Sequence, residues 1–429
     1  MMQPRTIIFA SWLTALTVVA LLLGACSALP DRFTRPDLSR IGIGRADDPE
    51  TRTLTLWSWP VDEATDAHLQ AVADAHIQAT SGISVTLTLP IDYYATLDRA
   101  LAADAGPDLF LIDLHRLPQM VAAGLLAPLP ADHVDTADLH PLLRDGATID
   151  DQLYCMPDAA NTLALLYNTA LFDAAGIAYP DESWRWDDLR AAAEAISGLP
   201  TVNFFSFGIA ITPDVTRWAP FLYQAGGELV DATGWPMLDS QTANAALEFY
   251  TGLITDGPAV EPGYLETGWG GEALGAGRVG MVIEGPWAIS FLDNERPSLE
   301  YGVAPLPRGP AGRGTVAFGT CWAVAAGSDD QAAAIELINA LTSTQAMQER
   351  IELSPSIPAR PSLARIWANA YPQLTPFLDG IDDAQLWQLP SELADLPEIV
   401  NDALRAVFDG DLSVDEAQAG MDGRRATND

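Results

Sequence analysis

Lysine is missing from this sequence. Its 22 basic residues are all arginine and stand against 58 acidic ones, a formal net charge of -36. A surface of that sign repels nucleic acid and anionic lipid headgroups. It reads as an adaptation to salty, acidic or hot surroundings, with recruitment of a cationic ligand as the second reading. Cysteine is scarce at three, and the five histidines are scattered. The chain has no Gly-x-Ser-x-Gly, no His-Glu-x-x-His, no phosphate-binding glycine loop and no Cys/His cluster. Those absences remove the local support for a serine hydrolase, a zinc peptidase or a nucleotide-binding enzyme. No enzymatic activity, metal or cofactor is expected, and there is no internal repeat or low-complexity tract.

What is present is ample material for cores: 48% of the 429 residues are hydrophobic and 19% charged. That length exceeds what one core usually supports, so two domains are expected. Arg5 gives a positive start, Ile7 to Leu23 runs without charge, and Leu23-Gly24-Ala25-Cys26 follows. Residues 1–25 read as a signal peptide, and the closing tetrapeptide resembles the bacterial lipobox, in which the cysteine thiol receives the lipid. An uncleaved membrane anchor is the competing reading, since the uncharged run lies at the short edge of a spanning helix. Both place the rest of the chain outside the cytoplasm. Residues 26–52 are polar, proline-containing and aperiodic, a flexible tether. Cys155 and Cys321 then remain; two buried free thiols are favoured over a disulfide, because spacing alone does not bring their Cα atoms into range.

From Thr53 strands alternate with helices, the mark of an α/β sheet. Thr53 to Trp59 alternates polar and apolar as a strand, Glu63 to Thr80 is helical, Ile83 to Leu89 is a strand, and Tyr94 to Ala103 a helix. Leu109 to Ile112 and Leu163 to Leu166 suit buried strands. Helices are expected at 183–197, 241–254 and 331–341, strands at 279–283 and 318–326, and a mostly helical tail beyond Arg360.

Three segments carry a resemblance. The first is Gly106-Pro107-Asp108-Leu109-Phe110-Leu111-Ile112-Asp113 with Ala123-Gly124-Leu125-Leu126-Ala127-Pro128-Leu129. The second is Leu153-Tyr154-Cys155-Met156-Pro157, running on to Leu165-Leu166-Tyr167-Asn168. The third is Gly275-Ala276-Gly277-Arg278-Val279-Gly280-Met281 through Glu284-Gly285-Pro286-Trp287. In order and spacing they resemble the family 1 extracellular solute-binding proteins of ABC importers, the maltose- and oligosaccharide-binding group. Weaker matches at Gly226-Gly227, Phe318-Gly319-Thr320-Cys321-Trp322, Ser356 to Arg360 and Leu412 to Ala417 extend the likeness over most of the chain.

The resemblance implies an α/β, two-lobed periplasmic-binding-protein-like fold of type II, its lobes joined by crossover hinge strands near Met156–Thr162 and Phe318–Trp322. Lobe 1 is expected at 53–158 plus 322–355 and lobe 2 at 159–321 plus 356–425. It implies a monomeric lipoprotein, held to the membrane at Cys26, that captures a carbohydrate in the interlobe cleft and delivers it to ABC permease subunits. In that family the tryptophan matching Trp287 commonly stacks on a sugar ring, and Asn161 falls where an acidic or amide ligand residue is often carried. Asp113, His115 and Arg116 follow the carboxyl end of a buried strand, where open α/β sheets place ligands. Trp59 and Trp322 add indole plates, and Gly319 lies on the returning strand. Tyr223, Trp269 and Trp387 are further ligand-binding candidates. Glycerol phosphate or another small anion, with Arg116 or Arg360 as its partner, is an alternative ligand. So is iron, although Tyr93 and Tyr94, adjacent on a helix, point about 100° apart. A hydrolase or a purely structural surface lipoprotein is the alternative of another class.

Overall fold

The computed structural model describes residues 52–201, 205–231 and 233–423; the expected signal peptide, Cys26 and the expected tether as far as residue 51 lie outside the described residues. The described chain builds two sheets. In the first the strand order is Ile357–Pro358, Cys155–Thr162, Thr315–Ala325, Leu109–Asp113, Arg52–Trp57, Ile83–Thr88. Arg52–Trp57 runs parallel to both its neighbours, whereas Thr315–Ala325 is antiparallel to Leu109–Asp113 and to Cys155–Thr162. The continuous apolar run Leu109 to Ile112 is buried at every residue, as a central strand covered on both faces requires.

The second sheet runs Ala259–Val260, Phe207–Ala210, Val279–Glu284, Ala164–Asn168, Tyr301–Ala304. Its strands sort their side chains with period two. Leu165, Ile209, Met281 and Ile283 point to one core, filled by Trp218, Phe221, Leu247 and Leu404. Leu166, Ala210 and Val282 point the other way, against Leu274, Ile289 and Leu292, and this packing continues into the core of the first sheet.

The chain passes from sheet to sheet where Cys155–Thr162 gives way, after Leu163, to Ala164–Asn168. It returns on Thr315–Ala325, whose Val316 and Phe318 pack with the second core while Cys321 and Trp322 pack with the first. The expected crossover segments Met156–Thr162 and Phe318–Trp322 fall within these two paired strands. Two threonine hydroxyls fasten the crossing: Thr315 Oγ1 donates to the Leu163 carbonyl at 3.0 Å and Thr162 Oγ1 to that of Phe377 at 2.6 Å. A third passage follows Ala384–Leu386, paired in parallel with Thr315 to Ala317, into the helix Leu396–Phe408.

Two expectations differ from what is found. Residues 357–381, read with the second lobe, bury Ile357, Leu363, Trp367 and Phe377 in the core of the first sheet; only the later helices join the second core, through Leu396, Val400 and Leu404. The cysteines are not free thiols. Cys155 and Cys321 form a disulfide with Cα atoms 5.6 Å apart, because the antiparallel register of their strands makes them near neighbours, opposite Ala323 and Pro157 respectively. Their sequence separation of 166 residues concealed this.

Candidate binding site

One cavity of about 360 Å³ lies at the carboxyl end of the first parallel strands, capped from the second sheet. Trp59, Asn161, Trp287 and Trp322 all line it. They come from different elements: Trp59 from the loop after Arg52–Trp57, Asn161 and Trp322 from the paired crossing strands, and Trp287 from the first residue of the helix Trp287–Glu295. Ser290, one turn along that helix, also reaches the cavity.

Trp287 is the exposed plate of the site, 38% accessible. Its indole folds back over Gly285, where any Cβ would collide with the ring; glycine at that position lets the indole take this pose. Its Nε1 donates to Glu284 Oε2 at 3.1 Å, and Arg217 Nη2 donates to the same oxygen at 2.8 Å. The Arg217 guanidinium also lies 5.7 Å from the ring centroid, and Phe318 meets the ring edge-on. Glu284 is buried, so its charge is held by these donors.

A second ion pair floors the cavity. Arg350 Nη1 donates to both carboxylate oxygens of Asp158, at 2.7 Å each, and Nη2 to the Asp158 carbonyl at 3.2 Å. Trp322 Nε1 donates to the same carboxylate at 3.3 Å, and its ring is almost wholly buried. Neither Asp158 nor Arg350 was anticipated from sequence: they are 192 residues apart, and although Asp158 directly follows the Pro157 segment, nothing local marks its partner. Asn161 lines the cavity, and its Oδ1 is buried without a hydrogen-bond partner.

The remaining expected residues lie elsewhere. Asp113 does not line the cavity; Tyr94 Oη donates to its Oδ2 at 2.5 Å, and its own N–H donates to Tyr94 Oη at 3.1 Å. Burial, then the Asp113 charge, pushes the Tyr94 phenol well above its ordinary pKa, so it stays a donor. Tyr93 Oη is spent on the Leu111 carbonyl at 2.6 Å. The Tyr93–Tyr94 pair therefore presents no free oxygens for iron, and among the described residues no group of three His, Cys, Asp or Glu is placed to hold a metal. Arg116 pairs with Asp98 at 2.7 Å and covers the Tyr94 ring at 4.2 Å, with His115 exposed beside it.

Arg360 is corrected from ligand to structural residue. It is 2% exposed, donates through Nε to the Thr342 carbonyl at 2.8 Å, and pairs with Asp135 at 3.3 Å. Arg360→Ala is expected to cost about 2 kcal/mol of stability, since it orphans a buried carbonyl; a chemical denaturation curve checks this. Gly319 is corrected likewise: a Cβ there would strike Leu114, so the residue serves close packing. Tyr223, Trp269 and Trp387 are absent from the cavity wall. Tyr223 and Trp387 pack on the second core, and Trp269 meets Phe291 edge-on.

Comparison with known proteins agrees with this architecture. Residues 71–376 match the family model described as bacterial extracellular solute-binding protein, and the chain belongs to that family. A binding protein of Brucella abortus is 33% identical over 230 residues, 50% of this chain and 53% of that one. The maltotriose-binding protein of Pyrococcus abyssi is 25% identical over 250 residues, 56% of this chain and 50% of its own. The chain thus spans about half the length of the curated relatives it matches. Among solved structures, the GacH receptor of Streptomyces glaucescens, determined unliganded and with acarbose, superimposes with a TM-score of 0.74 at 25% identity, over 88% of this chain and 98% of that one. A Listeria monocytogenes ABC substrate-binding protein in complex with cycloalternan gives 0.76 at 19% identity, over 88% and 99%. The mixed α/β fold is that of the solute-binding proteins of ABC transporters. Among the described residues no helix is long and apolar enough to cross a membrane.

Proposed function

We propose that this protein captures a neutral carbohydrate in the cavity between its two sheets and hands it to the permease of an ABC importer. The observation that carries the reading is the chemistry of the wall: Trp59 and Trp287, from elements on different sheets, share one cavity with the polar side chains of Asn161, Ser290 and Thr320. Indole plates cover the C–H faces of a pyranose, and isolated polar atoms answer its hydroxyls.

The charges of the wall, which include the carboxylate of Asp66, argue against an anionic ligand. The Arg350 guanidinium is matched by Asp158, and Arg217, behind Trp287, is matched by Glu284. Arg116 and Arg360, the candidates for a phosphate, are committed to Asp98 and Asp135. The acarbose bound by GacH and the name of the maltotriose-binding relative point in the same direction. The unit 53–158 plus 322–355, with 357–381, acts as one lobe and the second sheet with its helices as the other. Ligand touching both favours the closed form, since only differential affinity shifts such an equilibrium. Export by residues 1–25, acylation at Cys26 and a tether ending near residue 52 keep the monomeric receptor near its permease at high effective concentration.

The test is a thermal-shift and calorimetric panel of mono- and oligosaccharides, glycerol phosphate and ferric ion, since a ligand of the native state raises the melting point. A sugar is expected to respond and the two anionic or metallic alternatives to stay silent; the reverse pattern refutes the assignment. Trp287→Ala is expected to weaken the responding sugar by about 2 kcal/mol, roughly thirtyfold in Kd, with little change in the ligand-free melting point. An unchanged Kd removes the stacking role.

A further inference from the structure

The two crossing strands do not pair evenly. Thr320 faces Ala159 and Cys321 faces Pro157, so the ladder skips Asp158. Asp158 is thus a bulge, one extra residue on its strand. Its carbonyl accepts from outside the pair instead, from the Ala359 N–H at 3.1 Å and from Arg350 Nη2 at 3.2 Å. The effect is visible on the cavity wall. Successive side chains of a regular strand point to opposite faces, yet Asp158 and its neighbour Ala159 both line the cavity. On the partner strand the alternation holds: Thr320 and Trp322 line the cavity, and Cys321 between them does not.

The disulfide fits only this register. Cys155 faces Ala323, two residues from Cys321 and therefore on the same face, and the bonded cysteines have Cα atoms 5.6 Å apart. Without the bulge Asp158 would face Cys321, and Cys155 would move opposite Val324. The cysteines would then stand three residues apart along the ladder, about 10 Å, with side chains on opposite faces. No disulfide spans that arrangement. In the even register Asp158 would also share the face of Cys321, away from the cavity.

We propose that Cys155 and Cys321 are positioning residues for the ligand. Their bond holds the bulge, and the bulge turns the Asp158 carboxylate into the cavity, onto Arg350 and the Trp322 N–H. For its ligand this rests on the carbohydrate assignment above. Even pairing returns to the ladder the residue that the bulge leaves out, so without the crosslink the crossing is free to adopt it.

The experiment compares the full-length protein with Cys155→Ala/Cys321→Ala, each with and without Asp158→Asn, by calorimetric titration of the sugar that responds in the panel above. Ligand-free melting curves come first, and titrations are run well below the transition. Where the alanine pair does not fold, Cys155→Val/Cys321→Ala takes its place. Removal of the cysteines is expected to raise Kd about tenfold. Asp158→Asn is expected to cost about tenfold in the parent and little in the cysteine-free protein, because residues that act as a unit lose non-additively. Amide hydrogen exchange, which needs no ligand, is expected to quicken at 156–159 and 320–322 more than in the neighbouring strand Leu109–Asp113. A lowered melting point with an unchanged Kd, or losses that simply add, overturns the positioning role and leaves a bond that only stabilises. Failure of both cysteine-free pairs to fold overturns it too, since the bond then builds the fold rather than aims the site. If no sugar responds, the carbohydrate assignment falls and exchange alone judges the bulge: no selective quickening at those residues overturns the lock.

Discussion

Replacing Cys155 and Cys321 together by alanine is expected to destabilise the protein by about 3–5 kcal/mol, with the midpoint of urea unfolding falling accordingly. The bond closes a loop whose ends are 166 residues apart, and in the chain-entropy account long loops give the larger stabilisation. That loop is the entire excursion into the second sheet, from Met156 to Thr320. Both sulfurs are fully buried, so reductant reaches them only through local opening. Native protein should resist mild reductant that rapidly reduces the chain in urea. If the double alanine variant unfolds at the same urea concentration as the parent, the bond contributes nothing, and the strand pairing alone holds the crossing.

Asp158→Ala is expected to cost about 3–4 kcal/mol and to damage ligand affinity together with stability. The Asp158 side chain is 5% exposed and that of Arg350 19%. Removing the acid leaves the guanidinium without its partner and the Trp322 N–H without an acceptor. Breaking a buried pair from one side is costly for that reason; the residual access of Arg350 to water places the effect toward the lower part of the range. Asp158→Asn keeps an acceptor for Trp322 and should lose less. If Ala and Asn variants melt together, and both close to the parent, the pair is only a surface contact. Denaturation curves for the three proteins decide between these outcomes.

Much of the fold was legible because its signals are local. The alternation at Thr53 to Trp57, the apolar run at Leu109 to Ile112 and the amphipathic pattern of Gln331–Leu341 each report burial directly through periodicity. The helix Val215–Gln224 went unread; it contains Pro220, a residue that in sequence signals a break. The site was legible in part. Its indoles at 287 and 322 stand in motifs, that at 59 follows the first strand, and all three line the cavity. The charged residues were misjudged because a partner decides what a charge does, and partners are tertiary. Arg360 looks like an anion ligand until Thr342 and Asp135 are seen around it. Asp113 emerges from a strand toward the cleft, yet the Tyr94 hydroxyl claims it. Asp158 and Glu284, each inside a strand, gave no local sign that an arginine far along the chain would neutralise them.

The place of Thr315–Ala325 in the first sheet also constrains how the molecule is made. This strand lies between Cys155–Thr162 and Leu109–Asp113, yet it emerges more than 150 residues after the later of them. Until it arrives, the first sheet has a vacant central slot with two unpaired edges, while every strand of the second sheet has already been synthesised. Unpaired edges recruit other chains. Folding before synthesis has passed residue 325 would strand an incomplete sheet, so a chain delivered to its compartment unfolded and whole avoids the hazard that piecemeal assembly creates.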